Sequence, residues 1–367
     1  MRGPGESGSG DRVPAVRIPA PLWRAQIERI LLAIGLRPDH APVAAEVLAA
    51  ADLMGIESHG AAMLPVYAEQ VATGGAVAAA TVEVVRDHAA VALLDGGGGF
   101  GQAPTMAAVE MAAERVEQFG IAAVAIRNSN HYGAAGVYAR RLAERGLVGL
   151  STSSVWRAAI VPTGGRAARL GTNPLAFAAP VAGGRPFLLD LATSTAAIGK
   201  IRLALRAGRP LPEGWALTPE GAPERDAEAA LREVLLSPLG GHKGYGLATM
   251  VEILSSTLAG AAQTPLRDAP DGAAHDVGHF VLAMDPGLLR GSRDAFEADL
   301  ARMLAGLRAT PPARPGAPVR VAGDPEYAAE DDRTTHGIPL DGRLAAQLRA
   351  LAARLGAPYL LEPETTT

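Results

Sequence analysis

Residues 121–136, with the sequence IAAVAIRNSNHYGAAG, join a predicted strand to a predicted helix. Ile121–Ile126 is a continuous apolar run rich in β-formers, which is typical of a buried strand. A polar stretch follows, and Ala134–Arg145 has the spacing of a helix that ends at Gly146. His131 lies at this junction, where it can reach a pocket and titrate near neutral pH. It is suited to proton transfer, although a hydrogen-bonded loop histidine fits the same spacing.

Strands and helices alternate irregularly on both sides of this junction. Ala20–Ile34 and Ala41–Met54 predict two helices in a hairpin, followed by a polar elbow at residues 55–60. The pattern suits a mixed α/β, or α+β, fold better than a regular barrel, and 367 residues suffice for two lobes. The other predicted strands are Val82–Val85, Val91–Asp95, Leu147–Leu150, Phe187–Leu191, Gly278–Met284 and Val319–Val321, and the other predicted helices are Pro104–Phe119, Leu247–Ala262, Asp294–Leu307 and Asp341–Leu355.

The composition narrows the class of protein. A net charge of −4 gives no reason to expect nucleic acid or an anionic membrane as a partner. No apolar run approaches the roughly 20 residues that span a bilayer. The absence of cysteine excludes disulfides, thiolate catalysis and cysteine-based metal sites. Residues 1–18 start as a Gly/Ser-rich stretch without an apolar signal segment, which predicts a disordered tail and a cytoplasmic protein.

Only two lysines, Lys200 and Lys243, occur beside thirty-two arginines. A position that keeps lysine in so arginine-rich a chain needs a compact charge with three rotatable donors, although chance explains Lys200 equally well. Lys243 lies in the glycine-rich run Gly240–Gly246, directly before a predicted helix. Glycines let the backbone approach a ligand, and the start of a helix favours an anion. Lys243 is therefore a candidate phosphate-binding residue.

Gly96, Gly98 and Gly101 follow a predicted strand and precede a helix, as in the dinucleotide fingerprint of a Rossmann fold. The next predicted strand leads into Arg127, where an NADP-binding fold can place a cation. Asp95 would repel a pyrophosphate, however, and no run of parallel crossover units follows. A tight turn explains these glycines equally well, so a Rossmann dehydrogenase is kept as an alternative.

Asp190 lies near the end of an apolar strand, where a carboxylate is costly unless it is paired or hydrogen-bonded. His59 follows Ser58 in the polar elbow, where Ser58 also suits the role of a helix cap. A metal site of His59, His131 and Asp190 lacks the spaced histidines or carboxylate cluster of zinc sites. A serine hydrolase lacks its nucleophile elbow. The sequence therefore predicts no metal.

Five ordered motifs together resemble one family, the malate/L-lactate dehydrogenase family of the non-Rossmann type. Its relatives include ureidoglycolate dehydrogenase, sulfolactate dehydrogenase and piperideine-2-carboxylate reductase. The resemblance runs from about residue 20 to residue 345, and the order of the motifs makes it specific. The motifs are GIESHG at 55–60, NSNHYGAAG at 128–136, GTNP at 171–174, DLATS at 190–194 and GGHKGYG at 240–246.

The resemblance implies a fold and a reaction. The fold is a mixed α/β, non-Rossmann fold with two lobes and a mixed or antiparallel sheet. After the tail, residues 19–118 with 311–360 form the lobe for substrate and dimerisation, and residues 119–310 form the NAD(P)-binding lobe. The reaction is hydride transfer between NADPH or NADH and a small 2-oxo or 2-hydroxy acid, or a cyclic imine, in a homodimer.

The resemblance also assigns roles to residues. His131 is the implied acid and donates its proton as an imidazolium, while His59 and Asp190 orient the substrate or relay protons. Lys243 and its glycine-rich loop hold a cofactor phosphate. The other implied cofactor contacts are His242, Gly244, Ser153, Ser154, Thr172, Asn173, Asp190, Ala192 and Thr193, and the substrate contacts are Ser58, His59, Tyr132 and Arg157.

One position departs from the family pattern. The family continues its Ser-His-Gly element with an arginine suited to grip a substrate carboxylate, and this chain has Met63 there. Either another cation, Arg157 or Arg127, holds the acid, or the substrate is atypical. A catalytically inactive NAD(P)-binding member of the family is the alternative from a different functional class.

Overall fold

A computed structural model describes residues 16–267 and 275–362, and every structural statement below concerns these residues. Strands and helices alternate along the chain in the irregular order that the hydrophobic pattern predicts. The strands are β1 Val16–Ile18, β2 Glu83–His88, β3 Val91–Asp95, β4 Ile121–Ser129, β5 Val148–Ser153, β6 Leu175–Ala179, β7 Phe187–Leu191, β8 Ala216–Leu217, β9 Pro223–Glu224, β10 Val277–Met284 and β11 Ile338–Leu340.

Helices cover much of the remaining described chain, with three short 3₁₀ turns and one π-helical turn between them. The 3₁₀ turns are Glu57–His59, Ala61–Met63 and Thr264–Leu266, and the π turn is Ile253–Thr257. The α-helices are α1 Ala20–Ile34, α2 Ala41–Leu53, α3 Leu64–Ala72, α4 Gln102–Phe119, α5 Ala135–Ala143, α6 Ile198–Arg206, α7 Ala227–Glu233, α8 His242–Glu252, α9 Pro286–Arg290, α10 Arg293–Arg308, α11 Asp324–His336 and α12 Gly342–Leu355.

The central sheet has seven strands in the order β2-β3-β4-β10-β5-β6-β7. The β3–β4 pair is parallel and the other neighbouring pairs are antiparallel, so the predicted mixed sheet is confirmed. It follows that β3, β4, β5 and β7 run in the same direction, and their carboxyl ends meet at one edge. Asp95, His131, Ser153 and Asp190 lie at or just beyond those ends. The topology thus gathers motifs that are far apart in sequence.

Two large apolar clusters form the core. One lies between the sheet and helices α4 and α5 and contains Ile126 and Leu142. The other lies among α1, α2, α3 and α12 and contains Trp23, Ile30 and Leu348. A fully buried aliphatic side chain stabilises the fold by roughly 1.5–3 kcal/mol. The two cores agree with the predicted two-lobed architecture.

Two predicted boundaries need correction. The predicted tail included residues 16–18, but Val16–Ile18 pairs with Ile338–Leu340 as an antiparallel strand; residues 1–15 lie outside the described residues. The predicted lobe boundary at 118/119 separates β3 from β4, although these strands are hydrogen-bonded neighbours in one sheet. Residues 83–118 therefore belong with the sheet, and the rest of the lobe division stays a prediction.

The elements near the carboxyl end also differ from the prediction. Val319–Val321 was predicted as a strand but is an irregular segment before α11. The short strand in this part of the chain is β11, which follows α11. Helix α11 was missed because its surface is mostly polar, with Tyr327 as its buried side chain. Helix α8 begins at His242, five residues before the predicted start, because Gly241 (φ 68°) ends the preceding loop. None of the described helices combines the length and apolar character needed to cross a bilayer.

Candidate active site

His131 lies just after β4, and hydrogen bonds hold its ring. The Tyr67 hydroxyl oxygen is 2.7 Å from His131 Nδ1, and Gln102 Nε2 donates to the same oxygen at 2.7 Å. Because the amide donates to Tyr67, the single phenolic hydrogen points to Nδ1. The N–H of Gly133, 3.4 Å away, also faces Nδ1. Nδ1 is thus an acceptor, and the neutral ring carries its proton on Nε2.

His59 is the second ring of the site. It ends the turn Glu57–His59 and stacks on His131, with the ring centroids 5.4 Å apart. Ser58 Oγ lies 2.9 Å from His59 Nδ1. The structure therefore brings the predicted catalytic residues His59 and His131 together, with Ser58 orienting the His59 ring.

The buried carboxyl group of Asp52 anchors the chain directly after the Glu57–His59 turn. Asp52 Oδ2 accepts a hydrogen bond from the N–H of Ala61 at 2.8 Å and another from Trp23 Nε1 at 2.7 Å. A Cβ at Gly60 would lie 1.9 Å from Asp52 Oδ1, so only glycine fits there. Burial raises the pKa of Asp52 to about 7 in spite of these two bonds.

The charge state of His131 differs from the prediction. Burial lowers the pKa of His131 to about 3, with His59 and His279 adding to the effect, and burial also lowers the pKa of His59. His131 is therefore neutral at pH 7 in this structure, which corrects the expectation of a resident imidazolium. A negative charge placed beside the ring raises such a pKa. Protonation of His131 thus depends on what binds next to it.

Asp190 contacts the helix that follows His131. Its Oδ2 accepts the N–H of Gly136, in the first turn of α5, at 2.7 Å. A Cβ at Gly136 would lie 2.8 Å from the same oxygen, so this approach requires glycine. Burial is the larger effect on the carboxyl group and raises the pKa of Asp190 to about 6. Among the described residues Asp190 bonds to α5 and to neither histidine, so it positions the site from behind.

His279 forms a wall of the site. Its Nδ1 lies 2.9 Å from Ser153 Oγ and its Nε2 lies 3.1 Å from Ser129 Oγ. Tyr132 stacks on this ring with centroids 4.6 Å apart and is only 2% exposed. Ser153 and Ser154 are buried as well. The side chains of Tyr132, Ser153 and Ser154, predicted as ligand contacts, therefore build the wall and are not open to a ligand.

Three of the sequence motifs converge beside β7. Thr193 donates to the carbonyl of Thr172 through both its N–H and its hydroxyl, each at 2.9 Å. The N–H of Leu239 donates to Thr193 O at 2.9 Å, and Asn173 Nδ2 donates to Ala248 O on α8 at 2.8 Å. The GTNP, DLATS and GGHKGYG motifs are thereby joined, with Thr193 and Asn173 buried. The partly exposed members of this group are Thr172 and Ala192.

A cleft of about 740 Å³ opens beside the start of α8. Gly240 and Gly241 line it with φ values of 59° and 68°, and no described atom lies within 4 Å of a Cβ built on either. His242 and Lys243 are exposed in the first turn of α8, whereas Gly244 is buried and bonded within the loop. The other walls of the cleft include Gly164, Gly165, Arg166, Thr195, Glu213 and Glu220.

The segment after β7 connects this cleft with the histidine pair. Thr195 lines the cleft, and a Cβ built on Gly199 would lie 3.8 Å from Ser58 Cβ. Lys200 is the next residue, near the start of α6, and it is exposed. One short segment therefore borders both places.

The glycines of the dinucleotide fingerprint are closed off by the protein's own chain. In the Gly96–Gly101 loop, a Cβ at Gly101 would lie 2.6 Å from the carbonyl oxygen of Asn130. Arg127 Nε donates to Asp95 Oδ2 at 3.2 Å. The cation that the sequence offered for an NADP phosphate is therefore already paired with a carboxylate. Only one pair of strands in the described sheet is parallel. The Rossmann alternative is therefore wrong. Arg127 instead bonds to Asp95 at the start of the Gly96–Gly101 loop.

Met63, the residue that departs from the family pattern, makes an apolar contact. Met63 is half-buried against the cluster among α1, α2, α3 and α12. Arg157 is exposed and forms no ion pair with the described residues. Its neighbour Trp156 stacks on His275, with ring centroids 3.7 Å apart. Of the two cations weighed from the sequence, Arg157 is the one left unengaged.

Sequence reasoning missed Tyr67, Gln102 and His279. All three are buried side chains with polar groups, and a buried polar group requires a partner. That signal is weak without a fold, because it does not say which partner the side chain meets. The sheet edge supplies that information by placing α3 and α4 against the end of β4.

The fold and site have clear relatives. A family profile described as malate/L-lactate dehydrogenase matches residues 18–349. The malate dehydrogenase of Pyrococcus abyssi is 36% identical over 94% of this chain and 96% of its own length. The delta(1)-pyrroline-2-carboxylate reductase of Ancylobacter novellus is 35% identical over 88% of this chain and 94% of its own length. A crystal structure of malate dehydrogenase from Entamoeba histolytica superposes with a TM-score of 0.89 at 28% identity, over 94% of this chain and 99% of that one.

These relationships place the site in a class of enzyme. The protein is an NAD(P)-dependent oxidoreductase, and its cofactor is NADPH or NADH. The chain belongs to the malate/L-lactate dehydrogenase family.

Proposed function

We propose that the protein transfers hydride between NADPH or NADH and the carbonyl carbon of a 2-oxo acid, or the imine carbon of a cyclic 2-imino acid. The observation that carries this proposal is the His131 ring, whose Nδ1 is taken by Tyr67 while Nε2 holds the exchangeable proton. The names of the similar enzymes, a malate dehydrogenase and a pyrroline-2-carboxylate reductase, support both substrate classes.

His131 is the proposed general acid. When an acid substrate binds, its negative charge raises the pKa of the buried ring, which takes a proton from solvent and becomes an imidazolium. Nε2 then gives its own proton to the oxygen or nitrogen that gains electrons, and it takes a proton back in the reverse direction. His59, stacked on His131 and oriented by Ser58, holds the substrate in place. Asp190 keeps α5 in position.

The cleft beside α8 is the proposed cofactor site, and the bound cofactor supplies the hydride. Glycine backbone at Gly240 and Gly241 lets phosphate groups approach the first N–H groups of α8. The exposed side chains of Lys243 and Arg166 add positive charge beside that backbone. Glu213 and Glu220 also line the cleft, so we place the phosphate groups of the dinucleotide at the Gly240–Gly241 backbone, beside Lys243 and Arg166. The segment 190–200 would lead it toward the histidine pair.

The acid group of the substrate needs a cation, because Met63 stands where the family has arginine. We propose Arg157 or Lys200, which are exposed, with Lys200 next to a glycine that approaches Ser58. Replacing the residue that grips the acid should raise the KM for that acid by about tenfold, since a charged hydrogen bond contributes about 1.5–3 kcal/mol. Steady-state assays of Arg157→Gln and Lys200→Gln decide between them. If neither variant changes the KM, the acid is not held from these positions.

A substrate panel with a histidine variant tests the reaction. Oxidation of each reduced cofactor is followed with 2-oxo acids and cyclic imines, for the wild type and for His131→Ala. The variant should lose turnover by a factor on the order of 10² to 10⁴ and keep its cofactor affinity. Full activity of the variant would reject the role of His131. Cofactor binding without turnover of any compound would favour the alternative, a catalytically inactive family member.

Two further features remain proposals. The first is a homodimer, supported by an apolar stripe of Met250, Ile253 and Leu258, which are 38%, 53% and 59% exposed along the end of α8 and its π turn. The second is a cytoplasmic location.

A further inference from the structure

His131 has an uncharged partner where many catalytic histidines have a carboxylate. Its Nδ1 meets Tyr67, and Tyr67 meets the amide of Gln102. Tyr67 and Gln102 are both fully buried, at 0% exposure. Because both side chains are shielded from bulk solvent, each hydrogen in the chain has a preferred direction.

The direction drawn in the structure suits only the neutral ring. Gln102 donates to Tyr67, and Tyr67 donates to Nδ1. An imidazolium has hydrogen on both ring nitrogens, so Nδ1 would have to donate and Tyr67 would have to accept. The phenolic hydrogen of Tyr67 would then need a new acceptor. Without one, a buried hydroxyl would lose its partner, which costs about 1–3 kcal/mol.

Gln102 contains that acceptor. Its Oε1 is buried and has no hydrogen-bond partner among the described residues. Rotation of the amide by half a turn exchanges Oε1 and Nε2, because the two ends of the group have nearly the same shape. After rotation Oε1 accepts from Tyr67, and the whole chain of hydrogen bonds is reversed. The two orientations of the amide thus match the two directions of the chain.

We propose that Tyr67 and Gln102 form a reversible hydrogen-bond relay that supports His131 both as the neutral ring and as the imidazolium. In the neutral state the hydrogens point from Gln102 to His131, and in the charged state they point from His131 to Gln102. In the neutral state Nε2 is already protonated, so the ring becomes an imidazolium by taking a proton at Nδ1 once the Tyr67 hydrogen has turned to Gln102. Nε2 then gives its own proton to the substrate, and solvent restores it, while Tyr67 loses none. Tyr67 and Gln102 are positioning residues, and this inference rests on the proposed role of His131.

Two variants of Gln102 should shift the pH profile in opposite directions. Gln102→Glu supplies only acceptors to Tyr67 when ionised, favours the imidazolium and should move the alkaline limb of kcat for reduction, which reports the substrate complex, up by about one pH unit. Gln102→Leu leaves the Tyr67 hydrogen without an acceptor in the charged state and should move that limb down. The titratable groups that already face the ring, His59, Tyr67 and His279, are unchanged in both variants, and the carboxylate that Gln102→Glu adds also attracts the imidazolium directly. Shifts in the same direction, or none, would overturn the proposal.

A Tyr67→Phe background completes the test. With the hydroxyl gone, the relay is broken, so Gln102→Leu should no longer move the limb, and Gln102→Glu should move it only through the direct attraction of its charge. Tyr359→Phe is the matched control, because it removes a phenol that bonds to Ala345 on α12, and it should keep the wild-type profile. A Gln102→Leu shift that persists without the Tyr67 hydroxyl would show that Gln102 acts by another route.

Nitrogen NMR of histidine-labelled protein separates this proposal from the proposed reaction. In the wild type the His131 signals should report a proton on Nε2 and a hydrogen-bonded, unprotonated Nδ1. In Tyr67→Phe the two nitrogen signals should move toward each other, because the preference for one tautomer is lost. An unchanged spectrum would reject the relay even if His131→Ala abolishes turnover. A changed spectrum with an active His131→Ala would keep the relay and reject the catalytic role.

Discussion

At the scale of single residues, burial sets the charges around the site. Asp52 is 1% exposed and holds the turn of His59 through Ala61. Burial raises the pKa of Asp52 to about 7, from an ordinary value of 3.8. In this pH window the folded protein binds a proton that the unfolded chain has released. Unfolding therefore becomes easier as the pH rises from about 4 to about 7, and stability from this group is greatest at low pH.

The variant Asp52→Asn should remove this contribution. The neutral amide oxygen can still accept from Trp23 and Ala61, so the turn keeps its anchor. The free energy of unfolding of the variant should therefore gain on that of the wild type by about 1.4 kcal/mol per pH unit between pH 4 and pH 7. Chemical denaturation at several pH values measures it. Asp294→Asn, at an exposed position of α10, should follow the wild type, and parallel curves for Asp52→Asn would contradict the assignment.

Residue identity was easier to predict than residue state. The polar junction after an apolar strand marked His131, and a carboxylate near a strand end marked Asp190. The neutral charge of His131 was not predictable, because it depends on the depth of the site and on His59 and His279. The family resemblance implied that Tyr132 and Ser153 contact ligands, and only the packing around His279 reveals their buried role.

At the scale of elements, the turn between β3 and α4 is a packing device. Gly101 begins the approach to α4, and a Cβ there would lie 2.6 Å from Asn130 O, His279 Nε2 and Tyr132 Cβ. Its φ of −73° is allowed for any residue, so the restriction is one of space. The loop supports the wall behind His131 and leaves no room for a pyrophosphate.

Gly101→Ala should therefore destabilise the protein. Overpacking of this kind costs about 1–3 kcal/mol, because the main chain of Asn130 must shift. Thermal unfolding should show a lower Tm, and cofactor affinity measured on the folded fraction should be unchanged. Gly246→Ala on α8 is the control, since no described atom lies within 4 Å of the added carbon. A specific loss of cofactor binding in Gly101→Ala would contradict this account and support a dinucleotide site at the Gly96–Gly101 loop.

Elements with a strong hydrophobic pattern were predictable and those without it were not. The run Ile121–Ile126 and the amphipathic α12 were found from sequence, because their buried faces repeat with the period of a strand or a helix. Helix α11 buries a single side chain, Tyr327, and carries no such pattern. The strand pair β1 and β11 joins residues more than three hundred positions apart, a contact that local sequence does not encode.

At the scale of the whole molecule, the sheet order explains why distant motifs form one site. Four strands that point the same way have their carboxyl ends at one side of the sheet, and Asp95, His131, Ser153 and Asp190 lie at or just beyond those ends. This convergence was not predictable from spacing. The resemblance of the five ordered motifs to one family implied it, because members of a family share their topology.

The proposed dimer also concerns the whole molecule. The exposed stripe of Met250, Ile253 and Leu258 should be covered by a second copy of the chain, since a monomer would leave it in water. Ile253→Glu should shift the mass measured by light scattering from dimer to monomer. Leu289→Glu, at a site 81% exposed on α9, is the control and should keep the wild-type mass. A monomeric wild type, or a dimeric Ile253→Glu, would contradict this interface.

The role of His131 can be isolated from binding and product release by a single-turnover experiment. Enzyme saturated with reduced cofactor is mixed with the best substrate of the panel, and the loss of absorbance at 340 nm is followed in the wild type and in His131→Gln. The proton donor should be needed in the chemical step itself, so the variant should bind the cofactor normally and show a first-turnover rate lower by on the order of 10² or more. Equal first-turnover rates in the two proteins would mean that another group donates the proton.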